Sequence, residues 1–183
     1  MTNTTNMTSG LKKISVRLLK AASFIMAAGV LAMGQSAPEV HLDAEGLAPR
    51  AIEELTGTTI VRYYGQAWRD LATALDANRT DGLGDEFTGF AKDRLTKRIG
   101  AQTKTGVHVR IVDHGHRLKA VFYSTDGAAM QLIDQAQLEV QTFDGSKLLD
   151  TQNVPHEYMV LMTPGADRWY IRDLEEVSAA KSF

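Results

Sequence analysis

The chain has 183 residues, contains no cysteine, and has 20 basic against 22 acidic residues, which gives a formal net charge of −2 at pH 7. Without cysteine it can form no disulfide, no thiolate metal site and no cysteine nucleophile, and without a concentrated basic surface we expect no nucleic-acid partner. Once the N-terminal segment is set aside, about 147 residues remain, enough for one domain with a real core.

Residues 1–36 have the pattern of a signal sequence or membrane anchor. Four basic residues between Lys12 and Lys20 precede the uncharged run 21–34, which is the order of a secretory leader. The run is shorter than the roughly 20 apolar residues of a spanning helix, which favours cleavage over anchoring. We expect an exported protein, periplasmic or secreted if the leader is cleaved. If the leader is retained, the chain is anchored in the cytoplasmic membrane, with membrane contact only through residues 11–34.

The segment 37–49 is polar, and proline and glycine interrupt it, which is typical of a linker. The sequence then predicts a single α+β domain over 50–178 and a short tail over 179–183. No internal repeat divides this domain.

Two amphipathic helices open the predicted domain. Apolar residues at spacings of three and four predict a long helix that ends near Asn78; its stripe comprises Ile52, Leu55, Thr59, Ile60, Tyr63, Tyr64, Ala67, Trp68, Leu71, Ala74 and Leu75. Gly82 and Gly84 interrupt the chain, and a second helical stripe ends before Gly106. This second stripe comprises Leu83, Phe87, Phe90, Ala91, Leu95 and Ile99.

From Val107 onward the apolar period becomes two, which predicts strands. Two strands flank His114-Gly115-His116, where Gly115 predicts a turn. The third alternates most clearly, and Asp144-Gly145 after it suits a hairpin turn. A fourth strand runs from Val154 to Met162, and a fifth contains Trp169 and Ile171. This order predicts an α+β fold with the N-terminal helices packed on one face of a curved antiparallel sheet.

A long aromatic helix, a shorter helix and then a meander that closes with a Trp-x-Ile strand resemble the nuclear transport factor two-like superfamily. That superfamily has a cone-shaped fold, shared with ketosteroid isomerase and polyketide cyclases. The resemblance covers Pro49 to Val177 and depends on the order of elements. With the leader, the chain also resembles envelope-tethered accessory proteins of bacteria, and this likeness implies a scaffolding or assembly role. The fold alone does not decide between enzyme and binding protein.

Asp134 is the strongest candidate for chemistry. Alternation places its carboxylate on the apolar face of the third strand, where it must be paired, hydrogen-bonded or shifted in pKa. In enzymes of the resembled fold this face lines a pocket, so Asp134 could be a general base, with Tyr64 or Tyr158 donating to an oxyanion. Such a pocket, lined by Tyr64, Trp68, Asp134 and Tyr158, would suit a small apolar ligand. Alternatively, a bulge turns Asp134 to solvent, or Arg94 or Arg98 pairs with it.

The histidines give weaker indications. His156 shares a strand face with Tyr158 and could form an acid and base pair with Asp134, but it follows Pro155, which favours an exposed imidazole at a strand edge. His108, His114 and His116 lack the spacing of a zinc site, so we predict no metal and no cofactor. The aromatic stripe on the first helix is more typical of core than of a ligand wall.

The opposite face of the third strand is rich in amides and carries Gln131, Gln135, Gln137, Glu139 and Gln141. Such a face is either solvated surface or a docking face for a homodimer or an envelope protein. We therefore favour a non-catalytic binding or scaffolding domain of the cell envelope that acts through this face or a shallow pocket. The alternative is a small isomerase, cyclase or dehydratase that uses Asp134 as its base and a tyrosine as donor.

Overall fold

The computed structural model describes residues 38–177. The elements follow in the order β1 (Val40–Asp43), α1 (Glu54–Ala77), a 3₁₀ turn (Asp81–Gly84), α2 (Gly89–Thr105), β2 (Val107–Tyr123), β3 (Met130–Asp144), β4 (Lys147–Pro164) and β5 (Trp169–Glu176). The predicted leader over 1–36 lies outside this range, as does the predicted tail over 179–183. No helix between residues 38 and 177 is long and apolar enough to cross a membrane.

The five strands form one sheet in the order β1-β2-β3-β4-β5. Strands β2 to β5 pair antiparallel, and β1 pairs parallel with β2. Both helices pack on one face of this curved sheet and contribute to a single core. The predicted α+β fold is confirmed. We call the face under the helices the inner face and the opposite face the outer face.

Helix α1 ends where the sequence predicts. Asn78 adopts a left-handed conformation with φ of 53°, and its side-chain amide donates to the Val107 carbonyl at 2.7 Å, which ties the end of the helix to the start of β2. The assignment of two residues to the buried helical stripes was wrong, since Leu55 is 79% exposed and Phe90 is 66% exposed. Each lies in the first turn of its helix, on the side turned away from the core.

Strand β2 is continuous through the position where the sequence predicted a turn. The pairing with β3 shifts between Asp113 and His116, which marks a β-bulge, and Gly115 has a φ of 124°. A Cβ at this position would lie 3.0 Å from the Glu39 carbonyl oxygen, so both backbone conformation and space require glycine here. Gly115 therefore serves a bulge that bends one long strand.

The segment predicted as a linker, 37–49, contributes a strand to the sheet. In β1, Val40 pairs with His116 and Asp43 pairs with Lys119, and the His116 N–H donates to the Glu39 carbonyl at 2.8 Å. The sheet therefore begins before the predicted domain boundary at residue 50. A strand of four residues with alternating burial has too few apolar residues to differ from a polar loop in sequence.

Candidate functional site

Asp134 lies at the centre of the inner face of β3 and is completely buried. Its strand neighbours on this face, Leu132 and Ala136, are also completely buried. Neither alternative from the sequence describes its environment: the side chain is not turned to solvent, and Arg94 pairs with Asp173 instead. The carboxylate must therefore find its partners inside the core.

Two side chains donate to the same oxygen of Asp134. The Tyr64 hydroxyl, from α1, lies 2.7 Å from Oδ2, and Nδ1 of His116, from β2, lies 2.8 Å from it. The other ring nitrogen of His116 lies 2.9 Å from Oδ2 of Asp113. One imidazole thus spans two carboxylates. We call Tyr64, Asp113, His116 and Asp134 the buried cluster.

The buried cluster holds a charged histidine. Burial by itself lowers the pKa of His116, but the hydrogen bonds and charges of Asp113 and Asp134 outweigh it and raise the pKa to about 9. Both ring nitrogens therefore carry protons at neutral pH and donate to their carboxylates. Burial, and then the charge of Asp134, raises the pKa of Tyr64 well above its usual range, so its hydroxyl stays neutral and also donates.

Aromatic rings enclose the buried cluster. The Trp68 ring lies 4.6 Å from the His116 ring, and the Tyr158 ring meets Trp68 edge-on at 5.3 Å. The predicted pocket residues Tyr64, Trp68, Asp134 and Tyr158 do lie together, but Tyr64 and Asp134 are completely buried and Trp68 is 2% exposed. Burial and the charge of Glu176 raise the pKa of the half-buried Tyr158. Tyr64 and Trp68 therefore form packed core, which is the interpretation favoured for the aromatic stripe, and Tyr158 packs against this core.

His156 is more buried than the sequence suggested. Its side chain is only 13% exposed, it stacks on Tyr158 with ring centroids 6.1 Å apart, and its Nδ1 lies 2.8 Å from Oε1 of Glu176. Its partner is therefore Glu176 and not Asp134. Between residues 38 and 177, no group of three or more histidine, aspartate or glutamate side chains could hold a metal ion.

Sequence reasoning missed the role of His116. Counting back along β2 from Ala120 and Leu118 places His116 on the inner face, and the strand pairing sets Leu118 opposite Asp134. The alternation contained this signal. It was hidden because Gly115 suggested a turn, which would have separated His116 from the strand that follows it.

The outer face carries the predicted docking residues. Gln135 and Gln137 are exposed, while Gln131, Glu139 and Gln141 are partly exposed. Two open grooves, of about 410 and 640 Å³, cross this face and its β4 edge, and both are lined by Gln135 and Glu157. These two residues lie directly opposite each other in the pairing of β3 with β4. The grooves therefore meet at the middle of the predicted docking face.

Charge on the outer face is mixed on one side and acidic on the other. Exposed Arg117 and Lys119 lie on β2 beside the exposed Asp43 of β1, and exposed Glu157 and Glu175 lie on β4 and β5. The uncharged stretch of β3 around Gln135 separates them. A partner with the reverse arrangement would meet complementary charge on both sides.

No protein-family model and no curated protein sequence matches the chain. Among solved structures, the intermembrane space region of the chloroplast protein ARC6 matches with a TM-score of 0.59 and 15% identity, covering 72% of this chain and 100% of that one. Two bacterial proteins match less well. One is assigned as a scytalone dehydratase from Novosphingobium aromaticivorans, with a TM-score of 0.44, 12% identity and coverage of 64% and 83%. The other is assigned as a dehydratase of the NTF2-like family from Streptomyces avermitilis, with a TM-score of 0.43, 10% identity and coverage of 67% and 99%. The match to the intermembrane space region of ARC6 shows a shared fold.

Proposed function

We propose that this domain is a non-catalytic binding module of the cell envelope, and that it docks a protein partner through the outer face of its sheet. The observation that carries the proposal is the contrast across β3. Its inner polar residue, Asp134, is sealed in the core, where Oδ2 accepts two hydrogen bonds and Oδ1 has no hydrogen-bond partner. Its outer amides are exposed where two grooves meet.

The buried cluster supports a structural role for Asp134. A general base must reach the proton that it removes. Asp134 is completely buried, and its Oδ2 already accepts from Tyr64 and from a charged His116. A substrate would have to displace packed aromatic rings to reach it. Buried charges that are paired and hydrogen-bonded in this way serve first to hold a core in one arrangement.

The outer face supports a protein partner. Apolar side chains accompany the amides, since Met159 is 41% exposed and Ile133 is partly exposed. The basic residues of β2 and the acidic residues of β4 and β5 would orient a partner that carries the opposite charges. An envelope location comes from the predicted leader, and the intermembrane space region of ARC6 has the same fold in a compartment between two membranes.

One observation favours the alternative, an isomerase, cyclase or dehydratase. The predicted donor and base lie together, since the Tyr64 hydroxyl is 2.7 Å from Oδ2 of Asp134, and Oδ1 of Asp134 has no hydrogen-bond partner. A proton-exchange assay distinguishes this function from docking. We expect the purified full chain to leave the α-protons of a small cyclic ketone unexchanged in D₂O, measured by NMR. Exchange that the Asp134→Asn variant lacks would contradict the docking proposal.

Site-specific photo-cross-linking in the source cells tests the docking face directly. A photoreactive residue at Gln135 should give a discrete adduct, whereas the same residue at Lys97, exposed on α2, should not. Lys119→Glu should weaken the Gln135 adduct, because it reverses a positive charge on the β2 side of the face. Equal adducts from both positions, or none from Gln135, would count against this face.

A further inference from the structure

The first half of β4 has an edge that no strand within residues 38–177 covers. Strand β4 begins at Lys147, whereas β5 pairs with it only from Tyr158 onward. All residues over 147–155 are exposed, including three large apolar ones: Leu148 at 49%, Leu149 at 50% and Val154 at 47%. We call 147–155 the free edge. An uncovered edge of this kind is a template for another strand.

One hydrogen bond shows which backbone N–H and C=O groups of the free edge point away from β3. The Val177 N–H donates to the Glu157 carbonyl at 2.8 Å, so the backbone groups of Glu157 point away from β3. This direction alternates along an antiparallel strand, and the pairing with β3 is regular from Glu157 back to Thr151. The backbone groups of Thr151, Asn153 and Pro155 therefore also point outward. Pro155 alone among them has no N–H to donate.

We propose that the free edge pairs antiparallel with the same edge of a second copy of this chain, about a two-fold axis at Gln152. In this register Gln152 faces Gln152 of the second copy, and Thr151 of each copy faces Asn153 of the other. All four outward N–H groups of these residues then meet a carbonyl. A closed two-fold interface requires this self-complementarity.

The free edge has two irregular positions, a β-bulge at Leu149 and the missing N–H of Pro155. In the proposed register they face each other. Thr142 pairs with Asp150 and Phe143 pairs with Leu148, so Leu149 is the extra residue of a β-bulge. Pro155 of one copy faces Leu149 of the other. The missing N–H therefore falls where the ladder is already interrupted.

Charge at the end of the free edge also fits a second copy. The groove of about 640 Å³ is lined there by Glu157 and Glu176, and none of its lining residues is lysine or arginine. Antiparallel pairing brings Lys147 of the second copy, at the start of β4, to this acidic end. This interface uses the edge of the sheet, but it shares Glu157 and the larger groove with the proposed docking face.

Because the chain has no cysteine, disulfide cross-linking of the full chain tests the register directly. In Gln152→Cys the two facing Cα atoms would lie about 4.5 Å apart, as in other non-hydrogen-bonded antiparallel pairs, which a disulfide can span. We expect mild oxidation to convert most chains to covalent dimers. Asp150→Cys and Val154→Cys should each stay monomeric alone and cross-link when mixed, because residue 150 faces residue 154.

A second substitution separates edge pairing from chance collision. Adding Asn153→Pro to Gln152→Cys removes one outward N–H from each chain and should reduce cross-linking about tenfold or more. Asn153→Ala keeps the N–H and should not. Circular dichroism is the control that tests whether each variant is folded. A folded Gln152→Cys variant that stays monomeric, or that cross-links no faster than Gln135→Cys, overturns the proposal. Cross-linking of Gln135→Cys alone would instead identify the outer face as the surface of self-association.

Discussion

The two faces of β3 carry polar side chains one residue apart and use them in opposite ways. On the inner face, Asp134 is completely buried and accepts from Tyr64 and His116. On the outer face, Gln135 is exposed and lines both grooves. A polar group whose hydrogen bonds are made inside the protein stabilises one arrangement of the core, while a polar group exposed to solvent is available to another molecule.

The largest expected effect on stability comes from removing the buried carboxylate of the inner face. Asp134→Ala leaves the charged His116 with only Asp113 as its partner in a sealed core, and we expect a loss of about 3–5 kcal/mol in the free energy of unfolding. Urea denaturation of the full chain at pH 7 measures it. The matched control is Gln135→Ala, the next residue along the strand, which should change stability by less than about 0.5 kcal/mol. Equal effects of the two substitutions would refute the contrast.

Raising the pH should weaken the same cluster without a mutation. Folding raises the pKa of His116 to about 9 from an ordinary value of 6.5, so its contribution is complete below about pH 6.5 and is lost as the pH rises through 9. The expected loss between pH 7 and 9.5 is about 2 kcal/mol, measured as the free energy of unfolding. His116→Gln should have a flatter profile in this window, and an unchanged slope would exclude His116 as the cause.

The buried acid Glu86 also titrates at the lower end of this window. Burial, and then a hydrogen bond with Asp70, raises the pKa of Glu86 to about 7. Its contribution is therefore lost mainly between about pH 4.5 and 7. A small part of the change measured from pH 7 upward comes from Glu86, and this part persists in His116→Gln.

Substitution of Tyr64 tests the second donor to Asp134. Tyr64→Phe removes one of the two donors to Oδ2 of Asp134, and hydrogen bonds to charged groups contribute about 1.5–3 kcal/mol. Chemical denaturation measures the loss. Tyr63→Phe is the control, because the Tyr63 hydroxyl donates to the Asp167 carbonyl near the surface and its loss should cost less than about 1 kcal/mol. A larger effect at Tyr63 would contradict the importance assigned to the buried cluster.

The smallest expected effect on stability belongs to the outer face. Lys119→Glu should leave the free energy of unfolding unchanged within about 0.5 kcal/mol, while it weakens the photo-cross-link from Gln135. Thermal denaturation and cross-linking of the same variant measure the two properties separately. A clear loss of stability would mean that Lys119 supports the fold and does not serve binding alone.

Periodicity was sufficient for the main elements and placed Asp134 on the apolar face of its strand, since a long alternating strand fixes which side chains share a face. It left the burial of Asp134 open, because a bulge would have turned the side chain to solvent. It did not identify the partners of Asp134. His116 lies on β2 and meets Asp134 only through strand pairing, and no local pattern contains that pairing. Gly115 was wrongly predicted to form a turn, because glycine with a positive φ occurs in turns and in β-bulges alike. Phe90 was wrongly expected to be buried, because helical periodicity does not show whether the first turn of a helix lies over the sheet.

The parallel strand β1 has a consequence for the order of folding. Val40 pairs with His116, and both helices lie between these residues in the sequence, whereas β2, β3 and β4 are joined by short turns. Contacts between distant residues form late because a long loop must close first. During synthesis β1 therefore leaves the ribosome early but has no partner until most of β2 has followed. We expect its amide hydrogens to be protected last in refolding.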